Sequence, residues 1–225
     1  MLNSGDNRTA GACAIVGTLL LFIGTYLHPM KADPNDALAA FAEYAADQSW
    51  VTSHLMQLAG VGLMVAALLF LAQQLESVSG REWSWVAAGG AIASLALTAA
   101  LQAIDGIALK AMVDLWAAAA AEQKELAFHG ALAIRQIEVG LASMASLMFG
   151  ITATVYGLAL LLEDVYPKWL GALAFIGGVS MIFAGVVMAY TGFSRLAMAI
   201  NMSASSFLLI WMLTVGMLMW RRGRG

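Results

Sequence analysis

A chain of 225 residues in which 61% are hydrophobic and only 11% charged lies far from soluble domains, where about 45–50% are apolar and about 25% charged; no water-soluble fold covers that much apolar surface. The net charge of −3 offers no basic face to a nucleic acid, and the single cysteine, Cys13, excludes an internal disulfide and any thiolate-held cluster.

The first apolar run, residues 9–27, is longer than the roughly 7–15 residues of a signal core and has no small-x-small cleavage site after it, so it predicts a retained span. Cys13 follows Ala10, Gly11 and Ala12, but no apolar segment precedes it, which argues against lipidation. Crossing about 30 Å of hydrocarbon takes about 20 apolar residues, with every backbone amide paired internally. Five further runs meet that requirement: 55–75, 83–104, 139–162, 169–192 and 196–220. The fold class expected is therefore all-α, a polytopic transmembrane helical bundle of six spans, with residues 1–225 forming one domain embedded in the lipid bilayer. His28-Pro29, Asp33-Pro34, Ser79-Gly80 and Tyr166-Pro167 supply the breaks. Trp50, Trp83, Trp169 and Trp220 stand near span ends, where indoles favour the interface.

Residues 28–53 and 105–138 are polar enough to leave the membrane, and together they predict an extracytoplasmic helical cap. Within the first, 35–48 reads as an amphipathic helix with Leu38, Phe41, Ala42 and Ala45 on one stripe opposite Asp36, Glu43 and Asp47. The second reads as a helical hairpin extending the third and fourth spans, with a charged turn near Glu122 and Glu125 and arms of about 24 Å. An even number of spans places both ends on one side. Arg221, Arg222 and Arg224 after the last span assign that side to the cytoplasm, with six basic residues inside against five outside. An internal repeat also reads through the chain. Leu75-Glu76, a turn and Trp83 lead into one apolar helix, and Leu162-Glu163, a turn and Trp169 into another, which suggests either a parallel duplication of hairpins or two hairpins alike in their interfacial chemistry.

Polar side chains gather in the half of the bundle nearest the cap. His28 ends the first span, His54 opens the second and His129 precedes the fourth; Gln57, Gln102, Asp105, Arg135, Glu138 and Tyr190 fall at a similar depth. Ionisable groups at membrane depth are functional candidates. His54 with Gln57, Gln102 with Asp105, and Arg135 with Glu138 each share a helix face at a spacing of three, although the last is also readable as a plain ion pair. The histidines admit three readings: interfacial imidazoles bonded to water, ligands of a transition metal completed by Asp105 or Glu138, or axial ligands of a haem b held by His54 and His129. A small organic ligand among Gln57, Gln102, Asp105, Arg135, Glu138 and Tyr190 is the fourth possibility. No Gly-rich phosphate loop and no nucleophile elbow is present, and the fourteen methionines are spread as core filler.

Leu27-His28-Pro29, His54-Leu55-Met56-Gln57-Leu58 and the turn Tyr166-Pro167-Lys168-Trp169-Leu170-Gly171, set in six spans with a cap, resemble the uncharacterised bacterial six-span integral membrane proteins grouped as domains of unknown function. That resemblance implies a multi-pass protein of the bacterial plasma (inner) membrane, and the span count and C-terminal arginines place its termini in the cytoplasm. The functional expectation is a membrane binding protein with an outward-facing polar pocket for a metal, haem or small ligand. A redox protein or metalloenzyme, or its anchor subunit in a homo- or hetero-oligomer, is the alternative, and a small-solute transporter the second. The apolar stretches 61–70, 87–93 and 175–184 predict a cavity that opens on the cap side only.

Overall fold

The computed structural model describes residues 4–223, so Arg224, assigned above to the cytoplasmic side, lies outside them. The described residues form helices joined by short turns, and no strand is found among them. In order these are α1 (Ser4–Leu27), α2 (Ala37–Ala46), α3 (Trp50–Gln74), α4 (Val78–Gln102), a π-helical turn (Ala103–Leu109), α5 (Lys110–Ala118), α6 (Ala121–Leu161), α7 (Lys168–Thr191) and α8 (Arg195–Arg222). Six are long and apolar enough to cross a membrane, counting α4 to α5 as one continuous helix of 41 residues. The expected all-α six-span bundle is therefore what the chain builds.

The spans pack round a closed ring: α1 on α3, α3 on α4, α4 on α6, α6 on α7, α7 on α8, and α8 back on α1. Lipid supplies no hydrophobic drive between helices, so the ring closes where small residues let backbones touch. A Cβ added at Gly17 of α1 would stand 2.7 Å from the Gly60 carbonyl oxygen of α3, and one at Gly157 of α6 would stand 2.5 Å from the Phe175 nitrogen of α7. The first and last spans finish together at what we call the terminal face, where Arg8 Nε donates to the Gly223 carbonyl at 2.9 Å. The turn between α6 and α7 is pinned to the same face. Arg222 lies over the Tyr166 ring at 4.1 Å and donates to Val165 O, Tyr166 Oη donates to Gln74 Oε1, and the Glu163 carboxylate accepts the amides of Glu76 and Ser77 at 2.7 and 2.8 Å.

Two packed cores result. One fills the ring toward the terminal face with Leu71, Leu75, Leu160, Leu170 and Met219. The other fills the cap with Phe41, Tyr44, Trp50, Leu109, Val113 and Trp116. Helices of 41 residues measure about 60 Å at 1.5 Å per residue, twice the hydrocarbon thickness of about 30 Å. Half of α4–α5 and half of α6 therefore stand clear of the membrane, and α2 packs against α5. The tight turn between the two arms falls at Ala119 and Ala120, before the charged residues Glu122 and Glu125, which open α6 instead. The buried face of α2 is Ala40, Phe41 and Tyr44, not the stripe through Leu38 and Ala42. The two aromatic rings fill the space against Trp116 and Trp50, and Leu38 is left 60% exposed. Trp50 is likewise fully buried rather than interfacial.

Candidate functional site

α3 begins where the cap meets the ring, and its first turn organises the site. Ser53 Oγ and His54 Nδ1 both approach the Trp50 carbonyl at 2.7 Å. A carbonyl only accepts, so His54 carries its proton on Nδ1. In the neutral ring Nε2 is then a lone pair, and it points at the neighbouring helix. Opposite stands Asp105, with Oδ2 at 3.0 Å from Nε2, yet neither His54 Nε2 nor Asp105 Oδ1 has a hydrogen-bond partner in the protein. The approach is close but not in line for a hydrogen bond. A lone pair held against a carboxylate is repulsive unless a cation or a proton lies between them.

Asp105 reaches this position because the helix is underwound there. The π turn Ala103–Leu109 adds a residue to the ladder between α4 and α5, a distortion found mostly at functional sites. The Trp50 indole Nε1 donates to the Asp105 carbonyl at 3.0 Å and ties that turn to α3. Gly106 lets the two backbones meet, since a Cβ there would stand 2.6 Å from His54 Cβ.

His28, just after α1, completes the group. Its ring packs against Trp50 and His54 with centroids 4.6 and 5.0 Å away, and Nδ1 lies 2.9 Å from the Pro29 carbonyl. By the same argument Nδ1 carries the proton and Nε2 is left as a ligand atom. Burial holds the His28 imidazole below its ordinary pKa, only partly offset by the Asp105 charge. His28, His54 and Asp105 present one ligand atom each, all within 4.8 Å of one another.

Beneath them runs a cavity of about 490 Å³ between α1, α3, α4, α6, α7 and α8, lined at its cap end by His28, Tyr44, Asp105, Arg135 and Glu138. Arg135 Nη1 bonds both Glu138 oxygens at 2.9 and 2.8 Å, and Nη2 donates to the Pro34 carbonyl at 3.2 Å. The guanidinium also lies over the rings of Phe193 and Tyr44, at 4.7 and 5.4 Å. This ion pair fastens the loops from α1 and α7 to α6. Halfway down, Gln102 Nε2 donates to Gln57 Oε1 at 3.0 Å.

Of the residues expected at the site, His28, His54, Gln57, Gln102, Asp105, Arg135 and Glu138 all line this cavity or its head. Two do not. His129 is 63% exposed on the projecting arm of α6, with its Nε2 4.0 Å from Glu125, and does not join His54. Tyr190 is 88% exposed on α7. Their spacing along a helix gave depth but not the direction of the side chain. Trp50 escaped the sequence reading because an aromatic residue near a span end ordinarily faces the interface, and Tyr44 because it lies off the apolar stripe expected for α2.

A family model described as Domain of unknown function (DUF4386) matches residues 9–216. No curated protein and no solved structure matches the chain.

Proposed function

The chain belongs to the DUF4386 family, a grouping without an assigned activity, and we propose from its own geometry that it is a membrane protein binding a divalent transition metal through His28, His54 and Asp105. The reading rests on one observation: two imidazoles, each with Nδ1 turned to a backbone carbonyl, converge with a carboxylate within 4.8 Å. Metal-bound histidines almost always donate their other N–H in this way, which fixes the tautomer and leaves Nε2 to ligate. Donors around one ion at 2.0–2.2 Å stand about 3.4 Å apart, so the group closes by an ångström or so on binding. His28, in the loop after α1, is the ligand free to make that movement.

Two imidazoles and one carboxylate suit zinc or ferrous iron and leave coordination positions open. Those positions face the cavity, which favours metal-assisted chemistry on a bound molecule as the second reading. The cap and the metal site lie on the extracytoplasmic side of a bacterial plasma membrane in this proposal, with the terminal face and its arginines inside.

Elemental analysis of the detergent-purified protein tests it. One equivalent of zinc or iron is expected, falling to a small fraction in His54→Ala and Asp105→Asn and unchanged in His129→Ala. Equal metal content in all four proteins, or none in the unaltered one after metal supplementation, would remove the site.

A further inference from the structure

Below the metal ligands the cavity continues past Val65, Leu68, Phe149, Met181, Leu209 and Met212, a predominantly apolar wall. Its volume of about 490 Å³ suits a small organic molecule, for which sites measure about 300–1,000 Å³. The space also opens sideways. α1 and α8 meet closely near the terminal face, where Gly11 lies against Trp220 and Gly216 against Ala14. Nearer the cap, Phe22 of α1 and Met202 of α8 line the cavity while remaining 58% and 42% exposed. Both belong to membrane-spanning helices, so the opening between them faces lipid. A molecule dissolved in the bilayer is what reaches it.

A buried polar group on the wall lacks a partner and restricts the chemistry of that molecule. Gln102 is 8% exposed, and with its Nε2 given to Gln57 its Oε1 accepts nothing. A buried amide oxygen without a donor is costly; a hydroxyl head supplies the donor, whereas an ionised carboxylate or a phosphodiester has none to give. Trp211 lines the wall deeper in the ring, beside Tyr156, whose hydroxyl donates to Leu68 O eleven residues along α3 from Gln57, so it meets the chain of an amphiphile whose head lies at Gln102.

We infer that the cavity binds a single-chain amphiphile with an uncharged, hydroxyl-bearing head, of the monoacylglycerol class, taken up from the bilayer between α1 and α8. The hydroxyl donates to Gln102 Oε1, and the chain lies along the apolar wall beside Trp211. The inference rests on Gln102, the apolar wall and the lateral opening, and does not require the metal.

The test uses the full-length protein in detergent and a monoacylglycerol brominated on its chain, which quenches nearby indoles. Quenching that saturates at one ligand per protein is expected, with most of the saturable part absent in Trp211→Phe. Unlabelled monoacylglycerol should compete at least about tenfold better than the matching fatty acid or its methyl ester, neither of which carries a hydroxyl donor when the acid is ionised, the factor of one hydrogen bond. Gln102→Leu should abolish that preference while leaving fatty-acid competition and helical content unchanged. Quenching that does not saturate, equal competition by all three lipids, or a preference that survives Gln102→Leu overturns the inference. Metal content measured on the same samples separates the two readings: saturable binding by protein stripped of metal upholds this one whatever becomes of the metal site.

Discussion

Trp50 shows how one side chain carries several tasks. Its carbonyl receives His54 Nδ1, its indole N–H holds the Asp105 backbone, and its ring packs on His28. Trp50→Phe keeps the ring and loses the tie to the π turn. Partners that orient a ligand rather than bind the metal are worth about 10–100-fold in affinity, so zinc affinity measured by competition with a chelator should fall by about tenfold or more, with the fold intact. Arg135 makes a second residue-scale case. Removing one member of a buried ion pair costs about 3–5 kcal/mol because the other is left uncompensated. Glu138 is 3% exposed, so Arg135→Ala should lower unfolding stability by that order, and replacing both residues by methionine should cost much less. A melting temperature equal in the single and double variants would show that the pair is not what holds these loops. The sequence marked Arg135 and Glu138 as neighbours through their spacing of three. It could not mark the Pro34 carbonyl that joins them, because that partner lies 101 residues away.

Elements meet here through glycine or through loop carboxylates, and each kind of contact predicts its own behaviour. Gly157→Ala drives a methyl into the backbone of α7, with Phe175 N at 2.5 Å and Gly171 O at 2.8 Å, and overpacking of that kind costs about 1–3 kcal/mol. Gly62 and Gly89 have nothing within 4 Å of an added Cβ, so alanine at either should be neutral or stabilise by up to about 1 kcal/mol through helix propensity. Thermal unfolding of the three variants checks both signs. At the terminal face, burial alone would raise the Glu163 pKa, but the amides of Ser77, Asp164 and Glu76 outweigh it and hold the carboxyl below its ordinary value. A depressed carboxylate contributes stability that is present above its unfolded pKa, about 4.3, and is lost as pH falls through the folded value. The melting temperature should therefore drop on acidification below about pH 4.3, and Glu163→Gln should flatten that drop. The sequence located these elements well, since apolar length is a strong signal for a span. It misplaced the start of α3 by five residues and the buried face of α2, because packing among aromatic rings, not periodicity alone, decides which stripe turns inward.

On the scale of the molecule, the ring sets two ends apart, one closed by the arginines and turns of the terminal face and one built into a cap. With Cys13 replaced by serine, cysteines placed at Asp47 and Glu122 should react with an impermeant thiol reagent in intact cells, and one at Lys168 should not. Labelling of Lys168 alone would turn the molecule over and put the His28, His54 and Asp105 cluster in the cytoplasm. Composition made the six spans legible, and the gathering of His28, His54 and Asp105 near one depth was legible too. Convergence was not: three residues separated by 26 and 51 positions meet only through ring closure and the π turn, and neither leaves a pattern in apolar spacing.

That π turn has a consequence in terms of phase. A residue added to a helix without a break turns everything beyond it by about 100° about the axis. Ala103–Leu109 therefore acts as a clutch between two registers, one in which α4 faces the ring and the lipid, and one in which Val113 and Trp116 of α5 face Phe41. Deleting one residue, Ala103 for example, should restore regular α-helical bonding and be tolerated by the spans. The cap would then be swung out of register, and hydrogen exchange should reveal this as loss of protection in α2 while α7 and α8 keep theirs. The molecule holds its membrane ring and its cap in separate angular settings, and the single extra residue that reconciles them is also what brings Asp105 to the histidines.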